Sequence, residues 1–286
     1  IVKDLLEQTE AAKVDYVASV KMDLPAEDLA RRITDWLDLS LARFRQESPV
    51  QAAFSYLRGR IEASGAYVLL LGNLGSYHTN IPSGVFRGYA IADPVAPFIV
   101  VNDQDSPVAW SFTMLHELAH LWLGATGLSG ESIAAQLETY CNNVAGEILL
   151  PAADLDELRF LHRAPLQETV EAVDRFARQR NISRPMVAYK LLRLHFITDS
   201  RWRELNKHYK DEWVAAQTRE VGEEKSEGGP SYYVLKRHRL GPALLDLVKN
   251  SLAEGFLTHT KAGQVLGVKP RNVDPLIYAP GMRGSQ

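Results

Sequence analysis

The segment from Ser106 to Gly124 restricts the fold more than any other part of the chain. Ser106 can cap the orphan amides of a first helical turn, and Pro107 at the first helical position loses nothing by lacking a donor. A helix is therefore predicted from there to Leu123, ended by Gly124. Inside it, His116-Glu117-Leu118-Ala119-His120 sets two imidazoles four residues apart, hence on one face, where both can reach a single metal ion. At ~3.6 residues per turn, Glu117 is rotated about 100° from His116 and comes to such an ion from the side.

This spacing is the one found on zinc-protease helices, where the intervening Glu is the general base. The plainer alternative is one His packed in the core and the other exposed. With 8 His in 286 residues, chance supplies about 0.015 such pentapeptides, so coincidence does not account for it. A catalytic zinc keeps three protein ligands and one open position, and the third ligand must come from elsewhere. A second helix, predicted from near Ser129 to Leu149 or Leu150 and stopped by Pro151, carries Glu131, Glu138 and Glu147. Glu138 lies at the edge of an apolar stripe of Ile133, Leu137, Tyr140, Cys141, Val144 and Ile148, which turns it inward. It is the preferred ligand, with Glu131 the weaker choice. Asn142, one turn later, is a candidate to orient that carboxylate, with simple helix packing as the alternative.

Residues 4 to 62 read as helical, punctuated by Pro25 and Pro49. Tyr67 to Leu71, Gly88 to Ile91 and Phe98 to Val101 are short apolar runs bounded by Gly, Pro, Asn and Asp, and predict three strands of a small sheet. Residues 168 to 196 predict a helical pair broken between Asn181 and Pro185, and Thr218 to Pro230 a polar linker. Composition is ordinary for a globular chain, at 46% hydrophobic and 23% charged. No apolar run approaches the ~18 residues of a membrane span, which excludes a transmembrane reading. The first residues lack the pattern of a secretory signal, and Cys141 has no partner for a disulfide, so a reducing, cytoplasmic setting is expected. Cys141 itself is expected to be a small buried apolar residue.

Beyond the motif, the strand ending in Ile99-Val100-Val101-Asn102, the run Phe112 to Leu121, Glu138-Thr139-Tyr140-Cys141-Asn142-Asn143-Val144-Ala145 and Leu149-Leu150-Pro151 resemble the ImmA/IrrE-type metallopeptidases. The resemblance covers about residues 60 to 195. It implies zinc (Zn2+) held by His116, His120 and Glu138, with Glu117 as the base that takes a proton from water and returns it to the leaving amine. Two departures stand out. Val144 replaces a Phe common in the family, a mild core change, and residues 1 to 60 do not show the N-terminal DNA-binding domain that many relatives carry.

The fold class expected is α+β, with a zincin-like, mostly helical catalytic domain that holds a small sheet, plus a small C-terminal helical domain. Its parts are an N-terminal helical segment packed on the catalytic domain (1–60), the catalytic domain (61–217), the linker (218–230) and a basic helix-turn-helix-like domain (231–286). The resemblance implies an endopeptidase that cleaves a cytoplasmic regulatory protein, a helix-turn-helix DNA-binding repressor, in a stress or mobile-element response. Tyr89 and Ile91 are expected to bind substrate as part of an edge strand. No residue stands out as oxyanion donor among Tyr89, Tyr140 and His162.

Residues 231 to 286 carry eight Lys or Arg against three Asp or Glu. Within them, Thr258 to Leu276 predicts a helix, a turn at Gly267-Val268 and a second helix, with Gly263, Gly267 and Val273 at helix-turn-helix spacing. Lys261, Lys269 and Arg271 could meet DNA phosphates there, or the unit could dock a protein. The competing reading of the whole chain is a DNA-binding or protein-interaction regulatory module of toxin–antitoxin type with a structural or degenerate metal site. Glu117 argues against it, since a purely structural site needs no base.

Overall fold

A computed structural model describes residues 1–74, 79–125, 131–222 and 231–278, without the side chains of 131–133 and 216–222. Four helices precede the sheet: α1 (Val2–Gln8), α2 (Ala26–Trp36), α3 (Leu41–Gln46) and α4 (Val50–Ala63). Pro25 and Pro49 stand immediately before α2 and α4, where a missing donor costs nothing. The strands are β1 (Tyr67–Leu70), β2 (Gly88–Ile91) and β3 (Phe98–Val101). They pair in the order β1-β3-β2, with β3 parallel to β1 and antiparallel to β2.

Then come α5 (Pro107–Leu123) and α6 (Glu131–Leu149), a 3₁₀ stretch over Ala152–His162, α7 (Leu166–Gln179), α8 (Arg184–Arg193) and α9 (Asp199–Gly222). Among the described residues, four more helices follow: α10 (Tyr232–Leu240), α11 (Pro242–Ala253), α12 (His259–Leu266) and α13 (Val273–Tyr278). The fold is α+β and mostly helical, as expected. Among the described residues, no helix is long and apolar enough to cross a membrane.

Because side chains alternate along a strand, the register divides the sheet cleanly. Val68, Leu70, Ile99 and Val101 share one face with Gly88 and Ala90; Tyr67, Leu69, Phe98 and Val100 share the other with Tyr89 and Ile91. The first face buries against α4 and α5, in a core that also takes in Leu29, Ile33, Leu118 and Val144. The second face belongs to a separate core, in which Tyr67 meets Leu5 and Leu6 of α1 and Leu240, Leu244, Val248, Leu266 and Leu276 of the C-terminal helices. The sheet is thus covered along one face, and on the other over β1 and the start of β3, while Tyr89 and Ile91 of β2 stay exposed there.

The two cores are joined by a buried ion pair on α4. Arg58 Nε lies 3.1 Å from Glu62 Oε1, with both side chains 5% exposed. The Arg58 guanidinium also donates to Val68 O on β1 and, at 2.5 Å, to His238 O on α10. Glu62 Oε2 accepts the amide of Ala243, in the first turn of α11. Gly241, at φ 80°, connects α10 to α11 against this pair, and a Cβ there would run into the Arg58 guanidinium.

Several boundaries differ from the sequence expectation. α9 has no counterpart there: it fills residues 199 to 217 and continues to Gly222, past Thr218 where the sequence predicts a linker, and 223–230 lie outside the described residues. The start of α6 near Ser129 also lies outside them. α1 contributes Leu5 and Leu6 to the core that it shares with the C-terminal helices. The break after α7 has a clear cause. Asn181 takes φ 55° and donates to Phe44 O at 3.0 Å and Glu47 O at 2.9 Å, tying the end of α3 to the α7–α8 turn.

Candidate metal centre

α5 is set by its ends. Gly124 closes it at φ 66°, and the amides of Gly124 and Ala125 satisfy Leu121 O and His120 O. The polypeptide before α2 wraps this end, with the amides of Ala18 and Val20 donating to Leu121 O and Trp122 O. Apolar on most sides, α5 is buried by α4, α6 and the sheet, and His116, Glu117 and His120 are buried with it at 9%, 7% and 8% exposure. Among the buried neighbours of α6, Cys141, Val144 and Ala145 place that helix firmly against α5, which swings Glu138 over the two imidazoles.

The donor atoms converge. His116 Nε2 lies 3.0 Å from His120 Nε2, and the Glu138 carboxylate places Oε2 at 3.1 Å from His116 and Oε1 at 3.3 Å from His120. Tetrahedral bonds of ~2.0–2.1 Å impose donor separations of about 3.3 Å. The three side chains, which alone among the described residues form such a group, therefore fit a small tetrahedral cation. Burial, the dominant influence, lowers the pKa of both imidazoles, and for His120 the neighbouring His116 adds to it. Neutral rings keep the lone pairs that a metal needs.

Of the other candidates, Glu147 separates from this cluster. Glu147 pairs with Lys190 on α8 at 2.6 Å and is committed to holding the end of α6. The side chain of Glu131 lies outside the described residues. Asn142 is exposed, and it lies near enough to His116 to favour the ring's charged form. No hydrogen bond of good geometry from the described residues reaches the buried His116 Nδ1. Tyr140 donates to Leu24 O at 2.8 Å, a structural tie to the α2 entry. Cys141 is fully buried and its thiol is pushed up by burial, as suits an inert packing residue.

Glu117 stands beside the cluster with its pKa pushed up to about 8, first by burial and then by the charge of Glu138. This gives a pH signature in the metal-free protein. Between about pH 4.5 and 8 the folded chain holds a proton on Glu117 that the unfolded chain has released, so stability falls as pH rises through that window. Glu117→Gln removes the effect. The metal-free variant is expected to exceed the metal-free parent in stability by a gap that opens from near pH 4.5 and levels off near 8, reaching a few kcal/mol. Urea titrations in chelator across that range measure it; a gap that stays constant with pH would remove Glu117's burial from the account.

β2 runs alongside. A Cβ on Gly88 would come within 2.7 Å of Thr113 Cγ2 and 2.9 Å of both Glu117 Oε1 and Val100 O, so only glycine lets the strand lie against the Glu117 carboxylate. Sequence reasoning missed this residue, although glycine inside a strand is a standing sign of close approach. It missed Asn102 as well. That fully buried side chain donates to Ile81 O and Phe86 O at 2.9 Å each, while its amide donates to Arg87 O, and so it fixes the approach to β2. Gly88→Ala is expected to cost about 1–3 kcal/mol of stability while the bound metal is retained. Thermal unfolding together with metal analysis checks this, and an unchanged melting temperature would show that the strand yields without strain.

Arg87 pairs with Asn102 through that bond, and antiparallel pairs alternate between bonded and open. Tyr89 and Ile91 thus turn their backbone groups toward β3, while those of Gly88 and Ala90 face the open edge. The side chains of Tyr89 and Ile91 are 43% and 45% exposed and lie on the sheet face away from α5. Lys261, Lys269 and Arg271 are exposed on α12 and the turn that follows, outside the centre.

Residues 75–192 match the M78 peptidase family, described as the IrrE N-terminal-like domain. A curated relative of the IrrE-like domain, the radiation response metalloprotease IrrE of Deinococcus deserti, is 30% identical over 152 residues, which cover 49% of this chain and 51% of the relative. The chain therefore spans about half the length of the curated relative it matches. The IrrE-like stretch contains β2 and β3 together with α5 and α6, the two helices that carry the converging His, His and Glu.

Proposed function

We propose that the chain is a zinc-dependent endopeptidase that cleaves a cytoplasmic regulatory protein, a DNA-binding repressor of helix-turn-helix type, in a stress or mobile-element response. The observation that carries the catalytic part is the convergence of His116, His120 and Glu138 at 3.0–3.3 Å with a buried carboxylate, Glu117, at their side. Zinc held there supplies a Lewis acid that polarises a carbonyl and acidifies water. Glu117 takes the proton from the attacking water and passes it to the leaving amine. The surrounding core keeps solvent away from the rest of α5, so the exposed Glu138 side marks the way in.

The open edge of β2 supports an extended substrate. Gly88 and Ala90 offer backbone groups to a peptide strand beside Glu117, and Tyr89 and Ile91 meet its alternate side chains on the far face of the sheet. The name of the Deinococcus relative favours a stress response. Lys261, Lys269 and Arg271, which form no ion pairs with the described residues, offer the C-terminal helices a contact to DNA phosphates or an acidic partner.

Elemental analysis of the purified chain tests the reading. One zinc per chain is expected, lost on His120→Ala. Protein free of stoichiometric metal after purification without chelator, and unable to take up zinc, would sink it.

A further inference from the structure

A second site lies away from the metal centre. A cavity of about 740 Å³ opens between the end of the 3₁₀ stretch, the end of α8 and the start of α9, lined by His162, Leu192, Arg193, His195, Ile197, Thr198 and Asp199. Its size falls among small-molecule pockets, which combine an apolar surface with a few converging polar groups. Leu192 and the buried Ile197 supply the apolar part. Asp199 is taken up by Arg203 at 2.7 Å. The Thr198 hydroxyl accepts the amide of Arg201, which caps α9. Arg193, His162 and His195 have no ion pair or side-chain hydrogen bond with any described residue. The polar groups without a partner are thus a guanidinium and two imidazoles, all solvent-exposed at the cavity mouth and all able to donate.

His195 adds an independent observation. It sits at φ 59°, a left-handed position that glycine occupies without strain and other residues enter at a cost of roughly 1 kcal/mol. Asn181 occupies the same region at φ 55° and bonds the end of α3 with its side chain. The His195 imidazole does nothing comparable for the fold: its backbone amide closes the turn on Leu192 O, a bond glycine would make equally well. The ring lines the cavity, exposed to solvent and without a partner among the described residues.

We infer that this cavity binds a small organic anion, a carboxylate carried on an apolar body, with Arg193 and the two histidines on the carboxylate and Leu192 and Ile197 against the body. The guanidinium fork matches a carboxylate in two parallel hydrogen bonds. The nearby start of the 24-residue α9 adds favourable dipole potential.

The test uses the full chain, with benzoate as probe, benzamide as its neutral isostere and inorganic phosphate as the anion without an apolar body. Binding is read from the Ile197 methyl resonance and by calorimetry at low ionic strength. Benzoate should bind saturably and at least tenfold more tightly than either control. Arg193→Gln should weaken it by tenfold or more. His195→Gly, which relieves the backbone, should fold with an equal or higher melting temperature and still lose affinity. Equal binding of benzoate and benzamide, equal binding of phosphate, a silent Ile197 resonance, or benzoate affinity unchanged in either variant overturns the proposal.

Discussion

If the proposed function holds, Glu117→Gln should leave a bound metal in place and lower peptide hydrolysis by roughly a hundredfold to ten-thousandfold, the range that a positioned acid–base group contributes. The substitution keeps the volume of the side chain and its place beside Gly88, and the three converging donors are untouched. What it removes is the capacity to accept a proton next to them. Burial raises the pKa of this carboxyl in the metal-free chain and favours proton uptake, while a nearby cation would favour the ionised form that can accept the proton. Comparison of the proteomes of cells carrying the parent or Glu117→Gln is the measurement, since it works with a substrate of any identity. A partner cleaved equally in both would mean that Glu117 is not the base.

The second large effect concerns architecture. Arg58→Ala is expected to destabilise the chain by about 3–5 kcal/mol, the usual consequence of leaving one buried partner uncompensated. Burial opposes both charges, lowering the pKa of Arg58 and raising that of Glu62, so the pair persists through its geometry and its added hydrogen bonds to Val68 O, His238 O and the Ala243 amide. Replacing both residues, as in Arg58→Met with Glu62→Leu, should recover only part of the loss, because the Val68 and His238 carbonyls stay buried without donors. Urea unfolding of the three proteins measures this. A loss below about 1 kcal/mol for Arg58→Ala would mean that water reaches the pair readily.

How legible was this in the sequence? The metal helix was, because its information is local: a proline start, a glycine end and two histidines one turn apart. Glu138 followed from the stripe beside it, since helical period turns apolar spacing into direction. The closeness of Gly88 to Glu117 spans 29 positions and exists only after β2 and α5 pack, so no window of sequence contains it. Arg58 and Glu62 read as an ordinary surface pair four residues apart, and nothing local reveals that C-terminal helices bury them. α9 was missed for the opposite reason. Its Asp199–Gly222 sequence is polar on nearly all sides and commits chiefly Leu205 and Tyr209 to the core, so it lacks the periodic apolar face on which helix recognition depends.

The cover on the second face of the sheet has a consequence for any shortening of the tail. A chain cut at residue 222 would keep His116, His120, Glu138 and Glu117, yet strip Tyr67, Leu69 and Phe98 of their lid and leave a raw oily strip on the reverse of the strands that flank α5. Such a fragment would be sticky before it was inactive. The helices after residue 231 are less an attachment riding on the sheet than the wall against which its rear face closes.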